Sequence, residues 1–127
     1  YFSNVILRTY PRGLDAEIFT FAALDRAFKE ATRTYDREHV TPFFYNNPEI
    51  FHLRSYTGPD NLTQHRWTLD TPEDYTLIRS IFDILSAEGD SITTQAVLEL
   101  VNRRPELQCI NSHIEQKRDA HARANLP

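Results

Sequence analysis

The segment Arg66-Trp67-Thr68-Leu69-Asp70-Thr71-Pro72-Glu73-Asp74-Tyr75 places an acid where a strand is predicted to end and a helix to begin. Trp67, Thr68 and Leu69 favour extended backbone. Thr71 suits a helix N-cap, Pro72 the first helical position, and Asp74 an acidic variant of the capping box. Asp70 then stands at the strand's carboxyl end, the edge at which open α/β sheets bind ligands. A carboxylate there can hold Mg²⁺ on a nucleotide. The competing reading makes Asp70 itself the cap, with Thr71 as the first helical residue.

Other residues offer weaker chemistry. Asp15 and Glu17 sit two apart in an alternating stretch, so a strand would carry both on one face. Paired carboxylates can do acid–base work or bind sugar hydroxyls, or they can simply face water. Side by side on one strand, they do not flank a bond as a glycosidase needs. Arg37-Glu38-His39 is a charged cluster in which His39 can meet a carboxylate or phosphate, or lie at the surface. The five histidines show no zinc-ligand spacing. There is no Gly-rich phosphate loop and no serine or cysteine nucleophile motif. Asn61-Leu62-Thr63 matches a glycosylation acceptor, discounted because nothing else suggests secretion. The single cysteine, Cys109, reads as a small buried hydrophobe and excludes an internal disulfide.

Elements must position these groups. Strands are predicted over residues 1–7, 14–19, 50–56 and 67–70, with a turn at Tyr10-Pro11-Arg12-Gly13 and a loop at 57–61. In the second strand, Leu14, Ala16 and Ile18 form one face. A helix of about twelve residues opens at Thr20, with Leu24, Ala27, Phe28 and Ala31 as its apolar stripe. A shorter one covers 37–46, where Pro42 implies a start near Thr41. The strongest helix spans 71–87, with Tyr75, Ile78, Phe82 and Leu85 as stripe, widened by Leu77, Ile81 and Ile84. Gly89 suits its left-handed stop. A last helix spans 94–102, with Val97, Leu98 and Val101 inward. Interleaved strands and helices make the fold class α/β, with only three or four strands.

The chain has 127 residues, enough for one domain with a core. Its 40% hydrophobic and 25% charged residues fit a soluble globular protein rather than disorder. A net charge of −4 disfavours a general nucleic-acid binder. No apolar run reaches membrane-spanning length and no signal peptide opens the chain, so a cytoplasmic location is expected.

Five ordered segments carry a resemblance: Tyr1-Phe2-Ser3-Asn4, the run from Thr9 to Phe19, Arg37-Glu38-His39-Val40-Thr41-Pro42-Phe43, the run from Arg66 to Tyr75, and Asn111-Ser112-His113-Ile114-Glu115-Gln116-Lys117. Together they resemble the C-terminal half of the spore-coat-polysaccharide (SpsF-type) cytidylyltransferases, relatives of the enzymes that make CMP-KDO and CMP-sialic acids. The resemblance covers roughly residues 1–117 and leaves 118–127 as a polar tail; the polar stretch 115–127 is expected to be frayed or extended. It implies a nucleotide-diphospho-sugar-transferase fold, a doubly wound mixed sheet with flanking helices. It also implies Mg²⁺-dependent attack of a sugar oxygen on the α-phosphate of CTP. By resemblance Asp70 helps bind the metal, Asp15 and Glu17 line the sugar side, and Arg12 and His39 anchor an anionic sugar or phosphate.

The family's glycine- and arginine-containing phosphate loop and a further metal-binding Asp have no counterpart in these residues. The chain is therefore expected to be about half of an enzyme, cut before Tyr1 and inactive alone. Its exposed sheet edge should pair with a second copy, as a homodimer, or with the missing N-terminal half. The alternative is a non-catalytic module for oligomerisation or anionic-sugar binding.

Overall fold

The computed structural model describes residues 1–115, so the 118–127 tail and the Gln116-Lys117 end of the last segment lie outside the described residues. Among the described residues the chain forms two compact units, one of residues 1–10 and 15–61, the other of 11–14 and 62–115.

The first unit holds a three-stranded sheet of order β2-β1-β3, made of β1 (Phe2–Ser3), β2 (Glu17–Ile18) and β3 (Arg54–Ser55). β1 pairs antiparallel with β2 and parallel with β3, so the sheet is mixed, as the fold class requires. The strands are far shorter than predicted, because polar side chains intercept the ladder. Ser3 Oγ donates to Ala16 O at 2.9 Å and accepts the Val5 N–H at 3.1 Å. Asn4 Oδ1 takes the Ala16 N–H at 2.9 Å. Serine and asparagine side chains compete with backbone pairing in this way, and the chain turns at Val5 instead of extending through Leu7.

Three helices accompany the sheet: α1 (Phe21–Glu30), α2 (Thr34–His39) and α3 (Pro42–Tyr45). Thr20 caps α1, its hydroxyl accepting from Ala23 N at 3.1 Å. The predicted 37–46 helix is two helices, broken at Val40 (φ 62°), with Pro42 opening the second. Ala27, Ala31, Phe43, Phe44 and Phe51 are buried, with Tyr1 and Phe19 packed against them. Phe44 lies 4.9 Å from Phe19, 5.2 Å from Tyr1 and 5.0 Å from Phe51, centroid to centroid. Each such ring pair adds about 0.5–1.5 kcal/mol beyond area burial.

The structure decides which apolar side chains are covered. Phe28 is exposed rather than part of the α1 core stripe. Leu14, Ala16 and Ile18 are exposed, and Phe19 is the residue of that stretch that packs inward. Residues 14–18 are exposed on both faces, and only Phe19 is partly covered, by its neighbours in the aromatic cluster.

The second unit holds α4 (Pro72–Glu88), α5 (Thr94–Arg103) and a 3₁₀ helix (Pro105–Ile110). Gly89 closes α4 in the left-handed conformation, as its position predicts. The core is Leu77, Ile81, Leu85, Val97, Leu100, Val101 and Leu107. Tyr75 and Phe82, assigned to the α4 stripe, are exposed, while Leu77 and Ile81 carry it. In α5, Leu100 is fully buried and Leu98 only partly. Cys109 is exposed, not buried, because the 3₁₀ helix turns Leu107 inward instead.

Ile81→Ala should lower stability by about 2–5 kcal/mol, and Phe82→Ala by less than half as much. Urea unfolding of the two variants checks this, and equal losses would refute the assigned stripe.

Candidate functional site

Asp74 organises the loop that carries Asp70. Its carboxylate is completely buried. Oδ1 accepts from Arg66 Nε at 3.0 Å and from Asn111 Nδ2 at 2.8 Å. Oδ2 accepts from Arg66 Nη2 at 2.8 Å, Thr68 Oγ1 at 2.7 Å and the Asp70 N–H at 3.1 Å. Asn111 Nδ2 also reaches Arg66 O at 2.9 Å. Burial would raise the Asp74 pKa, but the hydrogen bonds from Arg66, Thr68, Asn111 and the Asp70 backbone outweigh it and hold the carboxyl well below the usual range. The Asp74 hydrogen bond in turn raises the Arg66 pKa.

Thr71 is the N-cap of α4, and its hydroxyl accepts the Asp74 N–H at 3.2 Å. The reciprocal half of the capping box is displaced by one residue, because the Asp74 carboxylate takes the N–H of Asp70 rather than that of Thr71. Asp70 is therefore not the cap. Its side chain is 66% exposed, and Oδ2 meets Arg66 Nη2 at 3.2 Å. The predicted 67–70 strand reduces to one parallel bridge between Arg12 and Arg66. Thr68 and Asp70 give hydrogen-bond donors to a carboxylate instead of to a neighbouring strand.

Arg12 reaches this loop through its backbone. Its N–H donates to His65 O at 3.0 Å, and its carbonyl accepts from Trp67 N at 2.7 Å. Gly13 makes the approach possible. It has φ +101°, and a Cβ there would fall 2.2 Å from Trp67 O. His65 is buried beside Trp67, and burial lowers its pKa.

The remaining predicted residues belong to the first unit. Only Glu17 lies in β2; it accepts a hydrogen bond from the Tyr1 hydroxyl. Asp15 precedes the strand and forms a two-pronged pair with Arg8, at 2.5 and 3.0 Å. His39 ends α2, exposed, its ring 4.6 Å from that of Tyr35. The two carboxylates thus have separate partners rather than a shared site.

Among the described residues, no group of three or more His, Cys, Asp or Glu side chains is placed to hold a metal. Asp74 cannot serve, since its lone pairs are taken. Asp70 is the accessible carboxylate of the loop, paired with Arg66. Sequence reasoning assigned no role to Arg66 or Asn111, because no period relates positions 66, 74 and 111. Their presence in two of the matching segments is the one signal that could have singled them out.

No protein-family model matches the chain. The uncharacterized protein MJ1063 of Methanocaldococcus jannaschii is 34% identical over 119 residues, covering 90% of this chain and 45% of that protein. The spore coat polysaccharide biosynthesis protein SpsF of Bacillus subtilis is 27% identical over 99 residues, covering 76% of this chain and 41% of SpsF. A solved cytidylyltransferase from Leptospira borgpetersenii superposes with a TM-score of 0.74 at 25% identity, over 92% of this chain and 47% of its own. The chain is related to the SpsF-type cytidylyltransferases. It spans slightly under half the length of the relatives it matches. In this chain, the Arg66–Asp74–Asn111 cluster is the scaffold and Asp70 the accessible carboxylate. No helix among the described residues is long and apolar enough to cross a membrane.

Asp74→Ala strands the Arg66 guanidinium and should lower stability by about 3–5 kcal/mol. Asp70→Ala, which breaks an exposed pair, should lower it by less than about 1 kcal/mol. The depressed native pKa of Asp74 fixes the sign with pH: its contribution is complete above the ordinary carboxylate range and fades as pH falls below about 4. Urea unfolding should show the gap between wild type and Asp74→Asn narrowing from pH 6 to pH 3. A constant or widening gap would contradict the network.

Proposed function

We propose that residues 1–117 are the C-terminal part of a Mg²⁺-dependent cytidylyltransferase that transfers CMP from CTP to an acidic sugar for a surface polysaccharide, with 118–127 as a polar tail. The observation that carries this reading is the likeness to a solved cytidylyltransferase over 92% of the chain, with a named SpsF relative beside it. The reaction forms a bond from a sugar oxygen to the α-phosphorus and releases pyrophosphate. Asp70 would hold Mg²⁺, which when bound neutralises phosphate charge. Asp74 fixes the Asp70 backbone, so the accessible carboxylate is presented from a rigid loop. Arg12 and His39 supply cationic or hydrogen-bonding contacts to an anionic group, and Asp15 and Glu17 supply acceptors for sugar hydroxyls. The enzyme acts in the cytoplasm, where CTP is made.

In this reading the chain is inactive alone, since it carries no Gly-rich loop to cradle a triphosphate. Pyrophosphate release from CTP and an acidic sugar, assayed on the longer polypeptide, should fall at least tenfold in Asp70→Asn with thermal stability unchanged. Undiminished turnover would remove Asp70 from the site.

A second reading, a non-catalytic module for oligomerisation or anionic-sugar binding, is favoured by one observation. Phe2, Ala16, Ile18 and Tyr56 line an apolar hollow of about 300 Å³ on the sheet. Ile18 is 65% exposed and Tyr56 53%. Either a second copy or an N-terminal half would cover that face. Sedimentation velocity should show concentration-dependent dimerisation that Ile18→Asp abolishes. A strictly monomeric wild type at high concentration would dismiss self-pairing.

A further inference from the structure

Asp15 and Glu17 are near neighbours in sequence, but their carboxylates are differently committed. Arg8 grips Asp15 with both prongs of its guanidinium, Nη1 to Oδ1 at 2.5 Å and Nη2 to Oδ2 at 3.0 Å, so both oxygens are engaged. Glu17 accepts the Tyr1 hydroxyl through Oε1. Its Oε2 has no partner among the described residues, and the residue is exposed. Glu17 is therefore the carboxylate that keeps a free acceptor.

Tyr1 is held so that it fixes that carboxylate in one pose. Ser3 stands opposite Glu17 in the β1–β2 ladder, and Tyr1, two residues before Ser3, shares their face. The Tyr1 backbone is tied to the chain entering β3: its nitrogen donates to His52 O at 2.9 Å, and its carbonyl accepts from Arg54 N at 2.9 Å. The ring stacks on Phe44 at 5.2 Å and on Phe19 at 6.5 Å, centroid to centroid. A ring wedged between others has little rotamer freedom, so its hydroxyl is a donor at a fixed point. Burial raises the phenol pKa and the bond to Glu17 raises it further, so the hydroxyl keeps its proton at pH 7. A glutamate on an exposed strand otherwise loses side-chain freedom when it meets a ligand. Holding one oxygen in advance removes much of that cost and leaves the other for a ligand's donor. A carboxylate only accepts, so the ligand group that fits Oε2 is a donor such as a hydroxyl.

Resting on the reading of Glu17 as a sugar-side acceptor, we propose that Tyr1 is a positioning residue: it holds Glu17 through Oε1 so that Oε2 accepts from a hydroxyl of the sugar.

Tyr1→Phe keeps the stacked ring and removes only the donor. The longer polypeptide is assayed with CTP and, as sugar probes, KDO and N-acetylneuraminic acid. In Tyr1→Phe the KM for the sugar should rise about threefold to tenfold, with kcat and the KM for CTP within about twofold of wild type. Glu17→Gln should raise the same KM at least as far. The double variant should be no worse than Glu17→Gln alone, because the hydroxyl acts through that carboxylate. A hydroxyl with a merely structural role would lower the thermal midpoint and move both KM values together, which would overturn the proposal. A raised sugar KM in Glu17→Gln with none in Tyr1→Phe would also overturn it, while leaving Glu17 as the acceptor. An unchanged KM in Glu17→Gln, or no turnover of either probe by the wild type, would remove the underlying reading and the role of Tyr1 with it.

Discussion

The buried carboxylate of Asp74 is the constraint on which the candidate site depends. An ionised group with no access to water is tolerable only when its lone pairs are filled, and here five donors fill them. Those donors come from the segment before α4, from its backbone, and from Asn111 after the 3₁₀ helix. One side chain thus ties together stretches far apart in sequence, and any movement of the Asp70 loop would leave charge unpaired. The apolar core of Leu77, Ile81, Leu85, Leu100 and Val101 holds α4 and α5 together, but it is non-directional. The Asp74 network supplies the direction.

The first unit is held by a different force. Its sheet contributes only two residues per strand, too few for backbone pairing to dominate. Its buried cluster is centred instead on Phe44, with stacked and edge-on rings around it. Serine and asparagine at the end of β1 trade ladder bonds for side-chain bonds, which fixes where the strand stops. The same unit leaves Phe2, Ile18 and Tyr56 exposed on the sheet.

Much of the local architecture was legible in the sequence. The Thr20 and Thr71 caps, the Pro72 start, the Gly89 stop and the helix start at Thr41-Pro42 follow from short-range backbone chemistry, which operates within three or four residues. The buried faces were less legible. Tyr75 and Phe82 carry a helical period as good as that of Leu77 and Ile81, and Ile18 alternates as cleanly as Phe19. Period shows that two faces exist, whereas burial depends on which one a neighbour covers. Strand length was misjudged for a related reason, since β-propensity does not say whether a partner strand is within reach. Cys109 shows the same limit, as its type favours burial while its place on the outer side of a 3₁₀ turn exposes it.

For the candidate site, the sequence by itself determined that an acid precedes a capped helix, that no phosphate loop is present, and that the ordered segments resemble those of cytidylyltransferases. The tertiary structure alone decided which acid is structural and which is accessible. Asp70 and Asp74 are four residues apart and chemically identical, and either could serve as ligand or anchor. Folding brings Arg66, Thr68 and Asn111 around Asp74 and leaves Asp70 facing water. The physical reason is that solvation and hydrogen-bond saturation are properties of the space around a group, and that space is assembled from residues no local pattern connects.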